Sequence, residues 1–208
     1  MIFVGIPGRL VAAGDRRSEY QQDLFLDKFI FKGLRNGFFI EAGADDFMLA
    51  SNSLYFEEKY NWTGLLVEPV PFRFKLGYES QIYNISQSQY PVSLYRLSAN
   101  RRAWSAPICF STLTRPEYFQ FAMAVRPGFM AGISSEERET WAEFQCFPLF
   151  SVLLALDSPT VTLLSLDIEG AEFEVFRSLP WDQVDIEVIV TELVHAGEVR
   201  KYENTLTF

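Results

Sequence analysis

Short apolar runs that end in a carboxylate recur along this chain of 208 residues and restrict its fold more than any other feature. A short run that is apolar at most positions predicts a strand that is buried on both faces. Such strands are typical of an α/β fold in which a doubly wound, mostly parallel sheet carries helices on both sides. The runs are residues 38–40 before Glu41, 64–67 before Glu68, 161–166 before Asp167 and 186–190 shortly before Glu192.

Segments with helical spacing or helix-start signals separate these strands, so that strands and helices alternate along the chain. The segment 134–144, for example, begins with the capping-box pattern Ser134-x-x-Glu137. Helices are predicted at residues 19–32, 51–60, 134–144 and 150–156 and after Asp167 as far as Leu179, and weaker strands at 92–95 and 104–110.

The length of the chain fits one domain. We expect residues 1–18 to form a poorly ordered N-terminal extension and residues 19–208 to form the domain. Within the domain, residues 78–97 are rich in Ser, Gln and Tyr, which predicts a loop or insertion. The last clear strand lies close to Phe208, and folds of this kind often carry more sheet, so we expect the sheet to be shortened at its C-terminal end.

Charge and composition exclude several classes of function. The chain has 18 Lys and Arg against 27 Asp and Glu, a net charge of −9, which disfavours binding to nucleic acid or anionic lipid. No apolar run approaches the roughly 20 residues that span a bilayer. His195 is the only histidine, and Cys109 and Cys146 have no metal-ligand spacing, so no metal site is predicted. The two cysteines either pair or stay free.

The acids at the strand ends are the candidate functional groups. Ligands of open parallel sheets bind beyond the carboxyl ends of the strands, although acids there also cap helices or face water. Gly43, two residues after Glu41, permits close approach of a ligand, and Glu68 can accept hydrogen bonds from both ribose hydroxyls. Because the chain lacks a G-x-G-x-x-G pattern, an adenosyl ligand without a pyrophosphate fits better than NAD. The acidic pair Asp45-Asp46 also repels phosphate and tolerates a cationic ligand.

Three stretches of the chain carry a family resemblance. FFIEAGADDFMLASNSLYFEEKYNWTGLLVEPVP, LLSLDIEGAEFEVFRSLPW and EVIVTELVH resemble the FkbM-type methyltransferase domain, and within it the Star-like branch from arthropods. The resemblance covers most of residues 22–195. It implies a Rossmann-like class I methyltransferase fold that uses S-adenosylmethionine, most often to methylate a hydroxyl of a sugar or small molecule.

The resemblance also implies roles for individual residues. Asp167 and His195 are the candidate catalytic residues, since either could accept the proton of the acceptor hydroxyl. Phe47 is a departure, because many members have Gly at that position. Glu172 and Glu174 are expected to be solvated helix residues. The implied cofactor-binding residues are Glu41, Gly43, Asn52, Glu68, Asp167 and Glu169, with Gly170 and Glu192 in the matching motifs.

Two alternatives remain at this point. Asp167 could instead contact the methionine amino group or cap the following helix. The Star-like branch includes membrane-anchored proteins that assist the transport of growth-factor precursors from the endoplasmic reticulum to the Golgi and endosomes. In that alternative the domain binds a membrane-protein cargo instead of a small-molecule or glycan acceptor, and two glycosylation sequons, at Asn61 and Asn84, favour it.

Overall fold

A computed structural model describes residues 2–5, 18, 21–48, 50–79, 95–96, 101–124 and 139–191. Its main sheet has seven strands, of which six are mutually parallel. In chain order the strands are β1 (Ile2–Gly5), β2 (Phe38–Ala42), β3 (Thr63–Val67), β4 (Tyr95–Arg96), β5 (Trp104–Ala106), β9 (Val161–Leu166) and β10 (Ile186–Thr191).

The strand order β1-β10-β9-β2-β3-β5-β4 identifies a Rossmann-like α/β fold. From β2 the chain builds outwards through β3 to β5, then returns to β9 and builds in the opposite direction through β10. The order therefore reverses between β2 and β9, and such a switch point opens a crevice beyond the strand ends. The short β4 is antiparallel to β5 and forms one edge.

Helices cover both faces of this sheet, as the uniformly apolar strands predict. One face packs against α1 (Gln22–Phe25), the π-helical turn Leu26–Phe31, α2 (Leu54–Tyr60) and α3 (Pro71–Glu79), and its cluster is rich in aromatic side chains. The other face packs mainly aliphatic side chains against α4 (Leu149–Ala155) and α5 (Glu172–Ser178). All six residues of β9 are buried, which is typical of a central parallel strand.

A second, three-stranded sheet follows the carboxyl end of β5. It consists of β6 (Cys109–Phe110), β7 (Glu117–Ala124) and β8 (Glu139–Phe147), in the order β6-β8-β7. Cys109 and Cys146 are register partners on β6 and β8 and form a disulfide bond, with their Cα atoms 4.3 Å apart. The sequence left open whether these cysteines pair, and the structure shows that they do.

The structure corrects several predicted elements. The helix at 134–144 is wrong, because β8 occupies residues 139–147 and pairs antiparallel with β7. Burial alternates along residues 143–147, the period of a strand, whereas the capping-box pattern lies outside the described residues. The single strand at 104–110 is two strands in different sheets. The sequence analysis did not predict α3, and β1 is a strand inside the segment expected to be poorly ordered.

The described helices include none that could cross a bilayer: each lacks the required length and apolar character.

Candidate functional site

The switch point between β2 and β9 brings Gly43 against the backbone of Asp167. The amide of Asp167 donates to the carbonyl of Ala42 (3.1 Å), and the amide of Gly43 donates to the carbonyl of Val67 (3.0 Å). Gly43 has a φ of +78°, and a Cβ there would lie 1.8 Å from the Asp167 carbonyl oxygen. Only glycine fits this position, so the Gly43 of the predicted motif is required by strand packing.

Glu41 is buried and holds the start of α2. Its carboxylate accepts hydrogen bonds from the Ser51 hydroxyl (2.9 Å), the Asn52 amide (2.7 Å), the Ser53 amide (3.3 Å) and the Ser53 hydroxyl. A carboxylate at a helix N-terminus satisfies amides that have no partner within the helix. The hydrogen bonds of Glu41 are therefore used inside the protein.

Asn52 connects this helix start to the central strand. Its side-chain amide donates to the Ser165 hydroxyl (2.9 Å), two residues before Asp167 on the same chain segment. Its side-chain oxygen is buried and has no hydrogen-bond partner in the described structure. A buried acceptor without a donor is costly, so this oxygen indicates a place where a ligand could donate a hydrogen bond.

Glu68 holds together the loops that follow β2 and β3. Its two carboxylate oxygens accept hydrogen bonds from the backbone amides of Asp45 (3.0 Å) and Val70 (2.8 Å). The side chain is almost completely buried, and burial raises the pKa of Glu68 to about 7 against the opposing effect of these amides. Each carboxylate oxygen has two lone pairs, so each has one left to accept a hydrogen bond in addition to that from the backbone amide.

The loop after β2 places Phe47 inside the protein. Phe47 has a φ of +66° and no exposed surface, and its ring meets that of Phe74 edge-on with centroids 5.6 Å apart. A Cβ on Gly77 of α3 would lie 2.3 Å from the Phe47 ring, so glycine at position 77 leaves space for that ring. Glycine adopts this left-handed conformation more readily than a residue with a side chain. Phe47 packs on the aromatic face of the sheet.

A buried arginine that the sequence analysis missed completes the site. Arg101 forms an ion pair with Glu57 (2.7 Å), donates to the hydroxyls of Ser53 (2.9 Å) and Ser51 (3.3 Å), and donates to the carbonyl of Phe47. Burial raises the pKa of Glu57 to about 7, and the Arg101 guanidinium opposes this shift. No sequence pattern distinguishes this arginine from its exposed neighbour Arg102, because only tertiary packing buries it.

The acids after β9 have a different environment. Asp167 and Glu169 are exposed, and Glu169 and Gly170 have positive φ values in a tight turn. Glu172 is buried and accepts hydrogen bonds from the amides of Ile168 (2.8 Å) and Gly170 (3.2 Å). The expectation that Glu172 is solvated is wrong, because its carboxylate closes this turn. Glu174 is exposed, as expected.

Most of the predicted site residues therefore lie at one edge of the sheet. Glu192 and His195 lie outside the described residues, so their predicted roles have no structural counterpart here. The residues that lie at the carboxyl ends of β2, β3 and β9 or in the segments beside them are Glu41, Gly43, Asn52, Glu68, Asp167 and Glu169.

The arrangement favours a ligand that donates hydrogen bonds and carries positive charge. The exposed groups directly after β9 are the carboxylates of Asp167 and Glu169, and the unpartnered Asn52 oxygen is also an acceptor. Asp45, in the loop after β2, forms an ion pair with Arg73 (3.1 Å). A phosphate would be repelled by the acids after β9, whereas an ammonium group and hydroxyls would be accepted. No cluster of three or more potential metal ligands occurs among the described residues. A cavity of about 280 Å³ between Leu153 and Asp185 lies at the opposite, amino end of β9 and β10.

One comparison with known proteins identifies a family. The family model described as the methyltransferase FkbM domain matches residues 41–204, which is most of the chain. No curated protein and no solved structure matches the chain significantly.

Proposed function

Because this chain belongs to the FkbM methyltransferase domain family, we propose that it is an S-adenosylmethionine-dependent methyltransferase domain that transfers a methyl group to a hydroxyl. The observation that carries the proposal is the pair of acceptors at the switch point: the exposed Asp167 and the unpartnered side-chain oxygen of Asn52, whose side-chain nitrogen donates to Ser165, two residues before Asp167. The family match supports methyl transfer, and this pair supports the binding of a cationic donor.

Several features of these residues support binding of the cofactor. Asp167 and the Asn52 oxygen could accept hydrogen bonds from the ammonium group of its methionine part, and their negative character suits its positive charge. Glu68 lies at the end of the neighbouring strand and keeps unused lone pairs for ribose hydroxyls. Glu169 lies two residues beyond Asp167, at the rim of the same edge. Glu41 contributes by holding Asn52 in place.

The chemistry asks little of the protein. When bound, S-adenosylmethionine supplies an activated methyl group on a sulfonium. The protein has to align an acceptor hydroxyl with that group and accept the hydroxyl proton. Asp167 is the proposed proton acceptor because it is exposed at the strand end, and His195 is the second candidate. The proposed acceptor is a hydroxyl of a glycan or small molecule.

Calorimetric titration with the demethylated product, S-adenosylhomocysteine, tests this proposal. We expect saturable binding to the wild-type chain, about tenfold weaker binding to Asp167→Asn, and unchanged binding to Glu174→Gln, an exposed acid on α5 that serves as the matched control. Transfer of a labelled methyl group to a panel of glycans then identifies the acceptor. A folded, disulfide-bonded chain that does not bind at millimolar concentration would contradict the proposal.

The disulfide favours a second candidate function. Disulfides persist in secreted proteins and in the lumen of the endoplasmic reticulum but are rare in the cytosol, and Cys109 and Cys146 are bonded. A domain of the Star-like type, without catalysis, would bind a growth-factor precursor in the endoplasmic reticulum, Golgi or endosomes. The buried Phe47 ring also suits a fold that serves only as a scaffold. Loss of cargo transport in cells that carry Asp167→Asn, with the fold intact, would count against this candidate.

A further inference from the structure

We propose that Asn61 carries an N-linked glycan. The residue begins the sequon Asn61-Trp62-Thr63, which joins the end of α2 to the start of β3. The proposal concerns a covalent modification and does not depend on methyl transfer. It depends on two separate features: the geometry of this corner and the disulfide in the second sheet.

The backbone at the corner suits an asparagine whose side chain points away from the core. Asn61 follows the last residue of α2 and has a left-handed conformation, with φ 62° and ψ 33°, and its amide donates to the carbonyl of Phe56. Asparagine is among the few residues with a side chain that adopt this conformation readily. Asn61 itself is partly exposed.

Trp62 determines the direction of its two neighbours. Its ring is completely buried, stacks on Phe56 with centroids 4.7 Å apart and meets Phe31 edge-on at 4.8 Å, and its indole N–H donates to the carbonyl of Leu34 (2.8 Å). Thr63, on the other side of the tryptophan, is exposed. The corner therefore buries the middle residue of the sequon and leaves the two residues that glycosylation requires at the surface.

The native contact of the Asn61 side chain is compatible with a sugar. The side-chain nitrogen donates to the side-chain oxygen of Asn36 (2.7 Å), which is itself exposed. A glycosylated asparagine nitrogen retains one N–H, so this hydrogen bond can persist after modification. The attached sugar then extends from the corner into solvent.

The disulfide independently indicates the compartment in which this chemistry takes place. N-linked glycans mark surface loops of secreted proteins, and structural disulfides form in the same oxidising compartments. The Cys109–Cys146 bond lies in the second sheet, whereas the sequon joins two elements of the main sheet layer. The two features therefore point to one environment without sharing residues.

The reaction requires a lipid-diphosphate-linked oligosaccharide as co-substrate. The Asn61 side-chain nitrogen forms a bond to the anomeric carbon of the first sugar, the bond from that carbon to the diphosphate oxygen breaks, and the nitrogen loses one proton. The lipid diphosphate leaves with the electron pair. No oxidation or reduction takes place, and the product is a glycosidic amide.

Mass spectrometry of the secreted chain tests the proposal. The full chain is directed into the secretory pathway of eukaryotic cells with a cleavable leader, and the folded, disulfide-bonded product is treated with peptide N-glycosidase in heavy-oxygen water. We expect a labelled aspartate at position 61 in most molecules. A secreted, folded product whose Asn61 stays unmodified would overturn the proposal.

Matched variants separate glycosylation from folding. Asn61→Asp keeps a residue that tolerates the left-handed conformation, and Thr63→Val keeps a β-branched residue at the start of β3, yet both should lose the label. Thr63→Ser should keep it. Asn84→Gln, in the second sequon, should leave the label at position 61 unchanged. Retention of the label in Thr63→Val would also contradict the proposal.

Discussion

Glu41 and Glu68, the acids that end β2 and β3, are buried, whereas Asp167, the acid directly after β9, is exposed, although all three occupy equivalent places in the sequence pattern. Glu41 and Glu68 accept hydrogen bonds from neighbouring loops, so each carboxylate fixes the backbone around the switch point. Asp167 and Glu169 lie open to solvent on the same edge. The difference shows that acids in similar places of the sequence pattern can either fix the backbone of the loops or remain exposed to solvent.

The largest expected effect is a loss of stability in Glu41→Ala. Four hydrogen bonds to a buried carboxylate disappear, and the groups around the start of α2 lose their acceptor. We expect the free energy of unfolding to fall by about 3–5 kcal/mol. Asp167→Ala, on the exposed side, should lower it clearly less than Glu41→Ala does. Urea denaturation measures both, and equal losses would remove the distinction between the two groups.

The next effect is a dependence of stability on pH that arises from Glu68. Its pKa is raised from the ordinary value of 4.5 to about 7 in the folded chain, so the folded state binds the proton more tightly than the unfolded state. The stability from this group is therefore complete below pH 4.5 and is lost as the pH rises through 7, by up to about 3 kcal/mol.

Denaturation of the wild type and of Glu68→Gln between pH 5 and pH 8 measures this contribution. The variant should show the smaller decrease in stability with rising pH, because its side chain does not titrate. Asp167→Asn, the exposed counterpart, should keep the decrease of the wild type. The prediction is wrong if the free energy of unfolding depends on pH equally in the wild type and in Glu68→Gln.

Asn52→Ala should have a moderate effect on both the stability of the fold and the affinity for the ligand. The variant loses the hydrogen bond to Ser165 and the proposed acceptor for the cofactor. We expect a loss of about 1 kcal/mol in stability and a fivefold to tenfold weaker affinity for S-adenosylhomocysteine. Parallel denaturation and calorimetry separate the two, and an unchanged affinity would exclude Asn52 from the binding site.

The smallest effect concerns the strained backbone at Phe47. Both Phe47→Gly and Phe47→Ala lose the packing of a buried ring against Phe74, but only alanine retains a Cβ at a φ of +66°. We expect Phe47→Gly to be the more stable of the two by about 1 kcal/mol. Thermal denaturation of the pair provides the measurement, and the reverse order would show that the loop relaxes once the ring is removed.

The sequence predicts the central sheet and one edge of the site because both depend on local patterns. Mainly apolar runs identify β2, β3, β9 and β10, and parallel strands bring their terminal acids to the same edge. The sequence could not show that Arg101 is buried, because its partners Glu57, Ser51 and Ser53 lie more than forty residues away.

The other differences between the predicted and the observed structure also have specific causes. The helix predicted at 134–144 depended on a capping pattern, whereas the long pairing with β7 determines the strand β8. Glu172 follows the same motif as Asp167 and was expected to face water, but the tight turn at Gly170 directs amide groups towards it. The membership in the FkbM family agrees with the resemblance, while the Star-like branch and the roles of individual residues remain predictions.

The pairing of β1 with β10 has a consequence for how the protein is made. Ile2–Gly5 is synthesised long before its partner Ile186–Thr191. During translation the backbone N–H and C=O groups of this segment therefore have no partner strand until β10 is made. Unpaired strand edges of this kind promote association with other nascent chains. Pairing between segments so distant in sequence also makes completion of the sheet slow. A chaperone that shields β1 during this time would increase the yield of folded protein.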